Sequence, residues 1–319
     1  MVSVNLLAQE IVEDMMDYAE ELQINVITLD SGATIVDAGV EVDGSILAGE
    51  YVTEICLGGL GSATVTSFQY GDLILPAISV STNHPAISTL GSQFAGWRIT
   101  SKDGKFIGMG SGPARALALK PKKLYGKIDY KDDADVAVLF LEADNVPGDE
   151  TVEVVAEACR VEPSNVYMVV APTSSIVGSV QISGRVVETG IHKISEVGLD
   201  PKKIKYASGV APIAPIHPDS MVAMGRTNDM IIAAGHVNLF VEVENEEELK
   251  KYVEKTPSNT SESYGKPFYE IFKEAGFDFY KIDPGLFAPA SIMVNNITTG
   301  NSFYAGQINV ELVKRSISL

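Results

Sequence analysis

The sequence predicts an α/β (α+β) protein whose subunit has two parts, with mixed sheets and flanking helices. Three observations carry this. First, apolar runs of strand length alternate with amphipathic stretches of helical period along the whole chain. Second, from Asp135 onward the order is strand, helix, strand, helix, the βαβ period of a partly parallel sheet. Third, 319 residues exceed what one core ordinarily holds. The basic stretch Lys120–Lys127 reads as the junction. An N-terminal α+β domain is therefore expected over 1–125, joined by the C-terminal segment 285–319, with a second α/β domain over 126–284.

Ser3 or Asn5 can cap a first helix, because Leu7, Ile11, Met15, Ala19 and Leu22 recur at helical spacing. Ile24–Leu29 reads as a strand closed by the turn Asp30-Ser31-Gly32. A second helix follows Ser45 and stops before Gly58-Gly59-Leu60-Gly61. That cluster fits neither the dinucleotide nor the Walker glycine pattern, so a helix stop or tight packing is its plainer reading. Ala63–Tyr70 and Leu73–Val80 alternate as strands, and Gly91–Ile99 is helix-like. Asp103-Gly104 marks a hairpin between Arg98–Lys102 and Lys105–Gly108. Strand Asp135–Leu141, helix Glu150–Val161 and strand Asn165–Ala171 come next. Three prolines between Ser208 and Asp219 predict an irregular segment, buried or lining a cleft. Ile231–Ala234, Asn238–Val243 and Ser291–Asn296 read as strands. Asn245 opens a charged surface helix, 256–265 reads as an exposed loop, and the last dozen residues are amphipathic.

Lys and Arg number 24 against 42 Asp and Glu, for a net charge of −18. Such a chain repels phosphate backbones and anionic membranes, so neither nucleic acid nor a membrane is an expected partner. The N-terminus carries Glu10, Glu13 and Asp14 rather than the basic and then apolar segments of a signal peptide. No apolar run approaches the ~18 residues of a membrane span. Two cysteines, Cys56 and Cys159, lack a pairing motif, as in a reducing interior. A soluble cytoplasmic protein is expected. The four histidines are scattered and neither Cys-x-x-Cys nor His-Glu-x-x-His occurs, so no metal is expected, although ligands can converge in space.

The stretch with the most chemistry in it is Ala171–His192. An apolar strand feeds a Pro-Thr-Ser-Ser loop, and Ser174 or Ser175 can cap the helix that follows. Within that helix Arg185 and Glu188 lie three residues apart, on one face about a turn from each other. A carboxylate beside a guanidinium near a strand-to-helix loop suits acid–base chemistry. Spacing alone does not separate it from a solvated surface pair. Met109–Arg115 is a second suspect, since its small residues would admit a ligand and Arg115 could hold an anionic or ring-carbonyl group. Taken alone, that segment is better explained as a structural turn with a surface arginine. Lys120–Lys127 could hold an anionic tail or be a solvated linker.

Five segments together are similar to methenyltetrahydromethanopterin cyclohydrolases, the one-carbon enzymes of methanogenic and related archaea. They are Ser81–Trp97, Gly108–Leu117, Ala171–Ile194, Ala207–Asp229 and Asp283–Asn296. They follow in order over most of the chain, and none is a motif shared with many folds. The resemblance implies reversible hydrolysis of the N5,N10-methenyl bridge of tetrahydromethanopterin to the N5-formyl compound. It also implies a two-part α/β subunit with the active-site cleft between the parts, a homotrimer, and no metal or organic cofactor. By the family pattern Glu188 matches the catalytic carboxylate and Arg185 its partner. Ser92, Gln93, Phe94, Arg115, Thr173, Ser174 and His217, all in or beside these motifs, are expected to shape the substrate site.

The chemistry is coherent with that assignment. The methenyl bridge is an amidinium cation, electrophilic without a Lewis acid, so one carboxylate can act as base on water and then as acid toward N10. An arginine within ~4–6 Å would hold that carboxylate ionised. Two further readings stand beside it: a non-catalytic pterin carrier on the same scaffold, and a metal-dependent amidohydrolase whose scattered histidines converge.

Overall fold

The computed structural model describes residues 2–278 and 281–319. In chain order the elements begin with α1 (Val4–Asp17), β1 (Asn25–Thr28), β2 (Thr34–Asp37), α2 (Ile46–Cys56), β3 (Gly61–Tyr70) and β4 (Leu73–Thr82). A π-helix (Ala86–Gln93) precedes β5 (Trp97–Thr100), β6 (Ile107–Ser111), α3 (Ala114–Ala118), α4 (Lys122–Ile128), β7 (Ala137–Glu142), α5 (Asp149–Cys159) and β8 (Val166–Ala171). Then come α6 (Ile176–Ser183), α7 (Val186–Glu196), β9 (Ile204–Pro212), α8 (Ser220–Ala234), β10 (His236–Val241) and α9 (Glu246–Glu254). Helix α10 (Phe268–Glu274), strands β11 (Ser291–Asn296) and β12 (Ser302–Gly306), and helix α11 (Val310–Ile317) finish the chain.

Two compact units result, each interrupted in sequence. One comprises 1–62 and 86–181, the other 63–85 and 182–319. This differs from the expected division. The basic stretch is no junction: it forms α4 inside the first unit, where Tyr125 and Ile128 are buried and the Tyr125 hydroxyl donates to the Gly91 carbonyl at 2.8 Å. Segment 285–319 lies in the second unit, where β11 pairs β10 in parallel and β12 pairs β11 antiparallel.

The first unit holds a mixed six-stranded sheet in the order β1-β2-β8-β7-β6-β5, with β2, β8 and β7 parallel to their neighbours among themselves. Strands β7 and β8 are almost continuously apolar because both faces are covered. Val138, Phe140 and Val169 face a cluster with Ala8, Val12 and Met15 of α1 and Val52 and Ile55 of α2. The alternate residues Leu139, Leu141, Met168 and Val170 pack with Val152, Val155 and Ala156 of α5. The glycine cluster stops α2 as expected. Gly58 and Gly59 adopt φ of +68° and +67°, and a Cβ on either would approach Val4 or Leu7 of α1 to 2.6 Å.

The second unit holds another mixed six-stranded sheet, in the order β12-β11-β10-β9-β4-β3. Helix α7 lies on β9 and β10 through small residues. A Cβ at Gly190 would meet Val237 at 3.0 Å, and one at Gly209 would meet Val187 at 3.0 Å. Helices α8, α10 and α11 converge on one buried carboxylate. Asp229 of α8 accepts from the Phe268 amide at 2.9 and 3.1 Å and from the Ser316 hydroxyl at 2.7 Å. Burial is the main influence on it and raises its pKa to about 7, with Glu270 adding to the rise and the hydrogen bonds and Arg315 opposing it. The folded-state value is thus above the ordinary carboxyl value. Its stabilising effect is fully present below about pH 4 and is lost as pH rises toward 7. Asp229→Asn keeps an acceptor and removes the charge. Relative to wild type it is expected to gain stability between pH 5 and pH 8, measured by denaturant unfolding at both. An equal difference at the two pH values would remove this assignment.

Four local expectations are corrected. Gly91–Ile99 is not one helix. The π-helix ends at Gln93, and Trp97–Thr100 is a strand with Trp97 and Ile99 buried and Arg98 and Thr100 exposed. Ser208–Pro212 is regular, as the end of β9, paired with β4 throughout and with β10 as far as Val210, with Pro212 at the strand terminus where its missing N–H costs least. Ile231–Ala234 is the last turn of the 15-residue α8, buried all round, and a short apolar run reads alike in a buried helix and a strand. Within 256–265, Thr256, Ser258 and Ser261 are buried, and the Ser258 hydroxyl donates to the Ile232 carbonyl at 2.6 Å.

Candidate active site

Strand β8 delivers the chain into Pro172-Thr173-Ser174-Ser175. The Ser175 hydroxyl accepts from the Gly178 amide at 3.0 Å and donates to the Pro172 carbonyl at 2.8 Å, capping α6. Gly178 sits where a Cβ would lie 2.1 Å from that same carbonyl, so the loop closes only over glycine. The expected single helix over Arg185 and Glu188 is in fact two. Helix α6 ends at Ser183, whose hydroxyl is held by the Pro212 carbonyl at 2.7 Å, and a turn at Gly184-Arg185 restarts the chain as α7.

This break decides the setting of Glu188. Arg185 becomes the residue that precedes the first turn of α7, with φ −83° and ψ 2°. Glu188 occupies that first turn, where unsatisfied amides and the helix dipole favour a negative charge by about 0.3–1 kcal/mol. Both side chains are buried, Arg185 at 8% and Glu188 at 7% exposure. A surface pair is therefore excluded. The sequence places a carboxylate and a guanidinium, both buried, three residues apart at the head of α7.

In the first unit the expected residues fall into two groups. Thr173 donates its hydroxyl to Glu142 at the end of β7, opposite Ala171 in the parallel register. Asp37, at the end of the parallel β2, accepts from the amides of Gly39, Val40 and Glu41. The carboxyl ends of the parallel strands therefore carry two acidic groups and the Pro-Thr-Ser-Ser loop, the usual place for a ligand in such sheets. Neither Glu142 nor Asp37 was prominent in the sequence. Each sits at the end of a short apolar run, and only strand order brings them to one edge. Ser174 is half-buried in the same loop.

Ser92, Gln93, Phe94 and Arg115 form the second group. Arg115 differs from expectation, because it is wholly buried and turns inward. Its Nε donates to the Lys120 carbonyl at 2.9 Å and its Nη1 to the Ser92 carbonyl at 2.8 Å, with the Leu90 carbonyl at 3.4 Å. Its guanidinium lies 5.3 Å from the Phe94 ring centroid and 5.8 Å from that of Tyr125. It is an organiser of the π-helix and not an anion-binding surface. The Ser92 hydroxyl donates to the Cys56 carbonyl at 2.6 Å, and the Gln93 carbonyl accepts from Ser111 at 2.6 Å. A π-turn widens the helix by one residue and often marks a functional position. Here the Phe94 amide returns to the Thr89 carbonyl at 2.8 Å. Lys120, Lys122 and Lys123 are exposed.

His217 lies in the second unit, half-buried, with its Nδ1 accepting from the Asp219 amide at 3.1 Å just before α8. An open groove of about 300 Å³ in the first unit is lined by residues such as Ser101, Lys105 and Thr151, and by none of the expected site residues. Among the described residues no group of three or more His, Cys, Asp or Glu is placed to hold a metal ion. No helix among them is long and apolar enough to cross a membrane.

The family model described as Cyclohydrolase (MCH) matches residues 3–317. The chain belongs to this cyclohydrolase family. It is 52% identical over 324 residues to the methenyltetrahydromethanopterin cyclohydrolase of Methanothermobacter marburgensis, covering all of both chains. The enzymes of that name from Methanococcoides burtonii and Methanocaldococcus jannaschii are each 51% identical, over 99–100% of this chain and 98–99% of their own. Like them, the chain is a hydrolase of the cyclohydrolase class. The Arg185–Glu188 pair and the Pro-Thr-Ser-Ser loop lie within the matched region.

Proposed function

We propose that this cyclohydrolase catalyses the reversible hydrolysis of N5,N10-methenyltetrahydromethanopterin to N5-formyltetrahydromethanopterin, with Glu188 as base and then acid and Arg185 as its partner. The substrate follows the full-length relatives that bear its name. The observation that carries the mechanism is the burial of Glu188 in the first turn of α7, directly after Arg185.

The methenyl carbon joins two nitrogens in an amidinium cation, so it accepts water without further activation. As the water oxygen attacks, Glu188 takes one of its protons and a neutral carbinolamine forms. The C–N10 bond then breaks, Glu188 returns that proton to N10, and the remaining hydroxyl becomes the formyl oxygen as its own proton departs. The balance is one cation and one water in, one neutral formyl compound and one proton out. Proton transfer by a positioned side chain contributes roughly 10²–10⁴ in rate. Arg185 holds the carboxylate charged and oriented before the cation arrives, and a cationic substrate reinforces that charge. The exposed lysines of α4 and Lys120 are candidates for the carrier's anionic tail.

The same reading includes a cytoplasmic homotrimer of 34.1 kDa chains that works without metal or organic cofactor. The purified protein is expected to bleach the near-ultraviolet absorbance of the methenyl compound at an undiminished rate after chelator treatment. Tight binding without bleaching would make it a carrier. Activity that a chelator abolishes and a divalent cation restores would make it a metal-dependent amidohydrolase.

A further inference from the structure

We propose that His192 carries the surplus proton of the reaction from Glu188 to solvent. The inference rests on the reading of Glu188 as the base. Hydrolysis converts a cation and water into a neutral product and a proton. Of the two protons that water brings, one ends on N10 and the other must leave the site in every forward turnover. In the reverse direction one must enter.

Glu188 is poorly placed to exchange that proton with bulk water directly. It is 7% exposed, and a pterin seated against it covers what remains. Helix α7 is continuous from Val186 to Glu196, so His192 follows Glu188 by four residues and lies one turn further along the same face. Side chains at that spacing stand about 5–6 Å apart at Cβ, a gap closed by a direct hydrogen bond or one water. The residues on either side of His192 in that helix do not offer the route. Ile191 and Ile194 are wholly buried, and the Lys193 ammonium is turned to the Gly285 carbonyl at 3.1 Å. His192 itself is half-buried, so part of it remains accessible to water. An imidazole has two ring nitrogens, so it can accept a proton at one and release a proton from the other. Arg185, Glu188 and His192 thus form one stripe along α7: an anchor, a base and an outlet.

The step itself is simple. Once Glu188 has returned the first proton to N10, its carboxylate takes the proton that leaves the remaining hydroxyl. Glu188, protonated again, donates to one ring nitrogen of His192, and the other ring nitrogen releases a proton to water or buffer. No bond between heavy atoms changes and no co-reactant is needed. His192 acts through Glu188 and touches no reacting atom, so it is a positioning and relay residue.

The test measures turnover of the methenyl compound by His192→Ala and His192→Gln in a dilute buffer of non-imidazole type, and then with added imidazole. Expected in dilute buffer is a fall in kcat on the order of 10-fold or more with KM little changed. Added imidazole restores kcat in the Ala variant, where it can enter the space left, and leaves wild type unaffected. If His192→Ala fails to fold, His192→Gln decides by its kcat in dilute buffer. Wild-type kcat in dilute buffer, or a loss that imidazole does not relieve, overturns the relay. Glu188→Gln is run alongside. Wild-type turnover in that variant removes the base assignment itself. An inactive Glu188→Gln beside a fully active His192→Ala removes the relay alone.

Discussion

Glu188→Gln is expected to lose about 10²–10⁴ of kcat while folding normally, a barrier increase of about 3–5 kcal/mol. The glutamine is nearly isosteric and keeps an acceptor oxygen, so packing at the head of α7 is preserved. What it lacks is a group that can take a proton from water at neutral pH. One cost to stability is the lost charge–dipole interaction in the first helical turn, about 0.3–1 kcal/mol. KM is expected to rise modestly, because the cationic substrate loses an anionic neighbour. Stopped-flow absorbance gives kcat, and a thermal melt confirms the fold. Turnover close to wild type, or a collapsed melt, would each remove the role given to this residue.

The second large effect is on stability and comes from a residue that sequence reasoning had placed at the substrate. Arg115→Met keeps most of the volume and removes the guanidinium. The buried carbonyls of Ser92 and Leu90 and the part-buried carbonyl of Lys120 lose their donor, and the Phe94 ring loses the cation beside it. A buried polar group left unsatisfied costs ~1–3 kcal/mol. With two or three such groups, a loss of about 3–5 kcal/mol is expected, which at ~2–4 °C per kcal/mol lowers Tm on the order of 10 °C. Arg115→Lys restores charge without the forked donor geometry and is expected to recover only part of this. The check is calorimetry of both variants. A Tm indistinguishable from wild type would return Arg115 to the list of ligand contacts.

Much of the secondary structure was legible because its signals are local. Helix α1 follows from apolar positions at helical spacing and is capped at Ser3, one of the two expected residues, while α2 and α9 begin where expected, after Ser45 and Asn245. The hairpin at Asp103-Gly104 follows from its turn residues, and β5 and β6 pair as expected with Thr100 opposite Ile107. The misreadings share a cause. At Ile231–Ala234 and at 91–99 an apolar run lies in surroundings that cover it on every side or on alternate sides, and the run itself does not say which.

The candidate site divides in the same way. Residue types and spacing left Arg185 and Glu188 open between an acid–base pair and a solvated surface pair, and only the family motifs favoured the first. Whether the pair was solvated depended on the break at Gly184-Arg185 and on the packing of α7 over β9 and β10. Arg115 shows the converse. Its motif was recognised, but the inward turn of its side chain follows from carbonyls of the π-helix some twenty residues earlier.

The sequence by itself determined the class of fold and, through its family motifs, the kind of chemistry, because period, charge and motif are written in consecutive positions. Tertiary structure alone decided the division into units, the joining of β2 to β8 with Thr34 opposite Tyr167, the burial of Asp229 and the setting of Glu188. Those are set by which distant segments meet. The free energy that selects them is the burial of whole sheet and helix faces, a quantity no single stretch of sequence contains.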